Sequence, residues 1–270
     1  WSSDVCSSDL NLRPHPELET GPQEFLAAGT SFNQMISALE RMVEAQQRLI
    51  SDISHELRTP LTRLQLASAL LRRRSGESKE LERIETETQR LDGMINDLLV
   101  LSRNQYKNEL LRETVKANEL WNDILDNAKF EAEQSNKTLT VTAPPGPWTI
   151  YCNPYSLASA FENIVRNALR YSHSRIEVAF TEQNQGITII VDDDGPGVSP
   201  EDREHIFRPF YRTDEARDRE SGGTGLGLAI VETAISQHRG HVKADDSPLG
   251  GLRVEIWLPR GSVVNKSQHA

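Results

Sequence analysis

A heptad seam constrains this chain more than any other feature. Met35, Leu39, Met42, Leu49 and Ile53 recur at alternating steps of four and three residues, with Gln46 in the one polar slot, and Leu57 carries the seam on four residues after Ile53. Side chains at that spacing line one edge of an α-helix and need a partner helix to cover them. The apolar period starts at Phe25, Leu26 and Phe32, and predicts one long helix over 24–73. Pro60 lacks an amide donor and is expected to kink it. Arg72-Arg73-Arg74 stand at the helix end, where the dipole favours cations, and Ser75-Gly76 turn the chain. A second helix is expected over 78–104, with Leu81, Ile84, Thr88, Leu91, Ile95 and Leu98 at the same spacing. Two antiparallel helices cannot enclose a core. Pairing two hairpins into a four-helix bundle buries both seams, so packing alone predicts a homodimer.

Within the first helix lies Ser51-Asp52-Ile53-Ser54-His55-Glu56-Leu57-Arg58-Thr59-Pro60-Leu61. His55 falls about 200° around the helix from both Ile53 and Leu57. Its imidazole therefore points away from the seam, where a histidine serving the core would not stand. Glu56 is adjacent and suited to hydrogen-bond one ring nitrogen, leaving the other nucleophilic. Thr59, one turn on, is placed to hold a water near the ring. A lone histidine is more often structural, but this one has the setting of a reactive group.

The formal net charge of −10 argues against nucleic acid as a partner. The two cysteines, Cys6 and Cys152, form neither a disulfide framework nor a zinc spacing, which fits a reducing compartment. No run of about 18 apolar residues is present, so no membrane span is expected in this chain. Residues 1–10 repeat Ser-Ser-Asp without an apolar period and read as a foreign leader or tag, and 261–270 as a polar tail.

After residue 108 the pattern changes. Strands are expected at 110–116, 138–142, 149–151, 175–180, 187–192, 241–244 and 252–258, and helices at 118–135, 153–170 and 224–239, with Asn153 as a cap. Helices against a largely antiparallel sheet make an α+β sandwich.

Four segments of this region carry chemistry. Asn163 and Asn167 share a face of an otherwise apolar helix, followed by Arg170 and Tyr171. A carboxamide oxygen is a suitable hard ligand for Mg²⁺, although a satisfied core asparagine is the plainer alternative. Asp192-Asp193-Asp194-Gly195-Pro196-Gly197 ends an apolar strand; alone it is an acidic turn or a weak calcium candidate, but one inward Asp is suited to accept a base's amino group. Gly222-Gly223-Thr224-Gly225-Leu226-Gly227-Leu228 opens a helix, where glycines let amides crowd an anion. It lacks the Gly-Lys-Ser/Thr ending of a Walker A loop and a Rossmann strand. Phe207-Arg208-Pro209-Phe210-Tyr211-Arg212, with the charged run 213–220, reads as a mobile lid or an ordinary surface loop.

In this order the segments resemble a sensor histidine kinase of the two-component type. Ser54–Leu61 matches the family's H box, Asn163–Ser172 its N box, Asp193–Gly197 its first glycine box, Phe207–Phe210 its F box and Gly223–Gly227 its second glycine box. The resemblance covers residues 24–260. It implies the end of a HAMP-like relay helix over 11–45, a dimerisation and phosphotransfer domain over 46–107, and a Bergerat-type (GHKL) ATP-binding sandwich over 108–260. His55 is then the phosphoacceptor, Glu56 its general base, and Thr59 the residue associated with dephosphorylating the regulator. Asn167 ligates Mg²⁺ with Asn163 assisting; Asp193 reads the adenine amino group; Tyr171 packs near the base; Arg170 contacts phosphate. Gly195, Gly197, Gly223, Thr224, Gly225, Leu226, Gly227 and Leu228 complete the nucleotide site. The family often has Lys at Arg170 and Asn at Asp194; the latter change is expected to add charge near the phosphates. The implied cofactors are ATP and Mg²⁺, and the partners are a second copy and a response regulator. The implied location is the cytoplasmic face of an inner membrane that anchors the full-length protein. The competing classes are a GHKL-type ATPase clamp, which needs no reactive histidine, and a non-catalytic dimeric scaffold.

Overall fold

The computed structural model describes residues 23–104, 111–146, 148–183, 186–213 and 223–259. The expected leader, tail and nearly all of the charged run 213–220 lie outside these residues, as does most of the strand turn near Gln185. The chain divides after Glu56 into two compact units, residues 1–56 and 57–270.

Helix α1 is Gln23–Ser75 and contains Pro60 in its interior. In the first unit, Phe32, Met35, Leu39, Met42, Leu49 and Ile53 are exposed, Ile36 and Ser54 are buried, and His55 and Glu56 are exposed. Ser54 Oγ donates back to the Ile50 carbonyl at 2.7 Å, which occupies the small side chain beside His55.

In the second unit the rest of α1 packs against α2 (Lys79–Asn104). Leu61, Ile95 and Leu99 form the hairpin's small core, and Leu81, Ser68 and Thr88 are also buried. Polar pairs flank it: Arg58 Nη2 donates to Asn96 Oδ1 at 2.7 Å, and Arg72 bridges to Glu85 at 3.1 Å. The seam splits into two stripes. Leu61 and Ser68 turn inward, whereas Leu57, Leu64 and Leu71, one heptad apart, remain 49–54% exposed. On α2, Leu81, Thr88 and Ile95 are buried, whereas Ile84 and Leu91 stay half exposed. One hairpin therefore covers only half of its apolar seam. The core takes Leu99, four residues after Ile95, where the spacing favoured Leu98, because the face of α2 turned to α1 lies on the opposite side of the Leu81–Thr88–Ile95 line from Ile84 and Leu91.

The α/β part runs β1 (Glu113–Lys116), α3 (Ala117–Gln134), β2 (Thr138–Ala143), β3 (Thr149–Cys152), α4 (Pro154–Tyr171), β4 (Arg175–Gln183) and β5 (Gly186–Asp193). A 3₁₀ turn at His205–Phe207 follows, then α5 (Gly227–Gln237), β6 (His241–Asp246) and β7 (Leu252–Pro259). Five strands are ordered β2-β4-β5-β7-β6, with β2 and β4 parallel and the other neighbours antiparallel; β1 pairs separately with β3. The strand before α3 is shorter at its start than the sequence predicts. Helix α5 starts at Gly227 rather than 224, because Gly225 has φ +73°, outside the right-handed helical region.

β5 sits at the centre of the sheet and is buried on both faces, so its burial does not alternate along the strand. Three aromatics clamp the helical layer onto it: Trp121 of α3 lies 5.9 Å from Phe161 of α4 and 5.2 Å from Phe180 of β4. Each such ring contributes on the order of 2–3 kcal/mol by burial. Asn153 caps α4, its side chain accepting from the Ser156 amide at 3.2 Å, with Pro154 at the first helical position. At the other end Lys137 Nζ donates to the Leu169 and Ser172 carbonyls at 2.5 and 2.7 Å. A cation there satisfies orphan carbonyls and suits the dipole. Cys152 is fully buried, and burial pushes its thiol up to about 12, so it is a core residue rather than a nucleophile. Among the described residues no helix is long and apolar enough to cross a membrane.

His238 ties the C-terminus of α5 to the start of α4. Its Nε2 accepts from the Asn153 amide at 3.0 Å and its Nδ1 lies 2.6 Å from the Ala234 carbonyl, which requires the neutral ring. Burial lowers its pKa from the usual value. The unfolded chain therefore binds the proton more readily, so stability is complete above about pH 6.5 and falls as pH drops below it. Urea unfolding at pH 7.5 and 5.5 is expected to show a lower midpoint at the acid pH. His238→Gln should reduce that pH dependence; an unchanged dependence would refute the assignment.

Candidate active site

A cleft of about 570 Å³ lies between α4, the end of β5, the start of α5 and one face of α2. That is the size of a site for a nucleotide-sized ligand. Its wall includes Asn163, Asn167, Arg170 and Tyr171 from α4, Asp193 at the end of β5 and Gly197 after it, and Gly223, Thr224, Gly225, Gly227 and Leu228. Residues from well-separated stretches of the sequence are thus brought to one place.

Asp193 is the buried acid of the site. Its Oδ1 accepts from the Gly195 amide at 2.8 Å and from the Leu252 amide at 3.1 Å. Burial raises its pKa, and neighbouring Asp194 and Asp192 add to that, against the two amides that favour the charged form. The other two acids of the triplet point elsewhere. Asp192 makes a two-pronged pair with Arg253, at 2.8 Å to each oxygen. Asp194 is engaged by the His173 and Ser174 amides and the Ser174 hydroxyl, at 2.7–3.1 Å. Although partial burial disfavours its charge, the amide donors of Arg175, Ser174 and His173 hold its carboxyl well below the usual range. The expectation that Asp194 adds charge to the phosphates is corrected: it fixes the turn after α4.

On α4, Asn163 Nδ2 donates to the Ser159 carbonyl at 2.9 Å. That bond assigns the amide and leaves Oδ1 facing α5, where any side chain at Gly227 would meet it. A side chain at Gly223 would meet Arg170 Nη1. Gly225 is held in the left-handed region by its neighbour segment: Phe210 N–H donates to the Gly225 carbonyl at 2.8 Å, and a Cβ there would lie 2.9 Å from the Phe210 carbonyl carbon. Tyr211 in turn hydrogen-bonds Asp202, and His205 packs edge-on against its ring.

Two expected site residues stand behind the wall rather than on it. Leu226 is fully buried and serves the core beneath α5, and Gly195 is buried against the Tyr171 carbonyl. His55 and Glu56 belong to the other unit and are exposed on α1; Thr59 is exposed on the same helix. Sequence reasoning missed Gly251 and Leu252, which press on Asp193 from the β6–β7 tip, and Asp97 of α2, whose Oδ2 accepts from the Thr224 hydroxyl at 2.9 Å. No local pattern signals any of these, since each acts across the fold. Among the described residues no trio of His, Cys, Asp or Glu forms a cation cage. The available donors are the Asn163 and Asn167 carboxamides, which fit Mg²⁺ held chiefly by phosphates and waters.

Residues 152–262 match the histidine kinase-, DNA gyrase B- and HSP90-like ATPase family, and residues 45–107 match the His Kinase A (phospho-acceptor) domain. The sensor histidine kinase CpxA of Escherichia coli (strain K12) is 80% identical over 249 residues, 92% of this chain and 54% of that protein. CpxA of Klebsiella pneumoniae subsp. pneumoniae is 79% identical over the same length, and the sensor protein RstB of E. coli K12 is 36% identical over 251 residues. The chain spans about half the length of these relatives. Among solved structures, full-length ShkA in complex with AMPPNP aligns with TM-score 0.64 at 22% identity, over 80% of this chain and 46% of that one. The Acinetobacter baumannii histidine kinase AdeS aligns with TM-score 0.54 at 22% identity, over 77% and 98%. Both show the shared fold. With a phospho-acceptor helical hairpin followed by a GHKL-type sandwich, the chain belongs to the sensor histidine kinases.

Proposed function

We propose that this chain is the kinase portion of a two-component sensor. It binds ATP with Mg²⁺ in the cleft, phosphorylates His55, and passes the phosphoryl group to an aspartate of a response regulator. The observation that carries this reading is the convergence of Asn163, Asn167, Arg170, Tyr171, Asp193 and the glycine segment 223–227 on one cleft. Asp193 accepts from the adenine amino group, with Tyr171 beside the base. Arg170 and the amides at the start of α5 take the phosphates. Asn167, with Asn163, holds the Mg²⁺, which neutralises phosphate charge when bound.

The transfer forms a bond between an imidazole nitrogen of His55 and the γ-phosphorus, and breaks the bond to the β-phosphate oxygen, releasing ADP. The imidazole proton leaves to Glu56. Alignment and exclusion of water carry most of such a reaction. The exposed half-seam of Leu57, Leu64, Leu71, Ile84 and Leu91 supports a four-helix bundle with a second copy. Thr59, one turn beyond His55, serves the reverse reaction on the phosphorylated regulator. The similarity to CpxA supports an envelope-stress role at the cytoplasmic face of a membrane that anchors the complete protein.

The test is incubation of the purified chain with radiolabelled ATP and Mg²⁺. Label on the protein that is lost in acid and kept in alkali is the expected result. Hydrolysis of ATP without any protein label would instead identify a clamp-type ATPase.

A further inference from the structure

Helix α2 supplies Gln89, Arg90, Gly93 and Asp97 to the cleft wall, and the reaction above uses none of them. Asp97 is the informative one. The Thr224 hydroxyl donates to its Oδ2 at 2.9 Å, and Thr224 Oγ1 accepts from the Leu226 amide at 3.2 Å. Thr224 therefore joins α2 to the entrance of α5 through a single side chain. Burial pushes the Asp97 carboxyl above its usual range, against the Thr224 hydrogen bond and the guanidiniums of Arg166 and Arg170, both on the cleft wall. A positive helix end, two guanidiniums and a hydroxyl are the surroundings of an anion. A terminal phosphate would require the same ones.

We propose that Asp97 is an internal anion seated at the phosphate end of the cleft, which a nucleotide's γ-phosphate must displace, so that α2 discriminates triphosphate from diphosphate. This rests on the cleft being the nucleotide site. Two anions about 4 Å apart in a partly buried place repel strongly enough to change an affinity about tenfold. ADP, shorter by one phosphoryl group, leaves the Asp97–Thr224 bond in place. Entry of the third phosphate breaks that bond and frees α2 from the glycine segment.

The experiment measures the affinity of the full chain for Mg-AMPPNP and for ADP by calorimetry, in the parent and in Asp97→Asn. Asparagine keeps the size and an acceptor oxygen, and removes only the charge. The expected result is about tenfold tighter AMPPNP with ADP unchanged within about twofold. Asp97→Glu, which restores the charge, should return the ratio of the two affinities to the parent's. Thermal unfolding checks that each variant folds; if Asp97→Asn does not, Asp97→Ser is read in the same way. An unchanged ratio, or equal weakening of both ligands as loss of a simple cap would give, overturns the proposal. A parent chain that binds neither nucleotide overturns the site itself, which is a different outcome from a chain that binds both with an unaltered ratio.

Discussion

Replacing His55 by glutamine is expected to remove all of the acid-labile label while leaving fold and nucleotide affinity unchanged. The side chain is exposed on α1, so its replacement empties no cavity and strands no buried partner. Glutamine is a better helix former than histidine, and exposed substitutions of this kind change stability by about 0.5 kcal/mol or less. Chemically the change is complete, because a carboxamide nitrogen has its lone pair delocalised and does not attack phosphorus. Phosphoprotein labelling, beside AMPPNP affinity measured by calorimetry, reads both halves of the expectation. Label of the same lability on His55→Gln would put the phosphoacceptor on another histidine. Loss of AMPPNP binding along with the label would show that His55 supports the cleft rather than receiving from it.

The helix that carries His55 was legible because its argument is one of spacing alone. A seam at steps of four and three fixes which way every side chain on the helix points, His55 included. The same spacing did not separate the two stripes of the seam, since both are apolar and only the packed hairpin shows that Leu61 faces α2 while Leu57 and Leu64 do not. Most elements of the sandwich were legible for similar local reasons: Asn153 announces a capped helix, and 175–180 and 187–192 two strands, which pair as β4 and β5. The acid triplet was readable only in part. Strand alternation puts Asp192 and Asp193 on opposite faces, and they are found with Arg253 and with backbone amides respectively. Asp194 stands past the strand's end, where alternation no longer applies and the Ser174 turn decides its direction. Leu226 stands behind the cleft wall, a direction that one residue in a short non-helical turn gives no period to read. Asp97 and Gly251 were invisible, as each meets its partner far away along the chain.

Gly251→Ala is expected to weaken nucleotide binding by roughly a hundredfold or more and to lower stability by about 2–3 kcal/mol, by an overpacking mechanism. A Cβ at this position would lie 2.2 Å from Asp193 Oδ1, 2.4 Å from the Gly195 nitrogen and 2.6 Å from the Asp193 carbonyl oxygen. Two of these are backbone atoms, so no rotamer change relieves the contact. The tip must instead lift off, and it is held by Gly251 N–H to the Asp193 carbonyl and Leu252 N–H to Asp193 Oδ1, both at 3.1 Å. Losing the second bond frees the carboxylate that we propose reads the base and removes a donor that favours its charged form. Nucleotide calorimetry and urea unfolding are the measurements, with Gly250→Ala as the control. Gly250 has φ +103°, and a Cβ there would meet nothing within 4 Å, so alanine strains the backbone by about 1 kcal/mol without touching Asp193. If Gly251→Ala behaves like Gly250→Ala, keeping its affinity within about tenfold, Asp193 does not depend on the tip and its role at the base fails. If only Gly251→Ala loses the nucleotide, binding is lost with His55 intact, the converse of His55→Gln, and acceptor and nucleotide site are separable parts of one kinase.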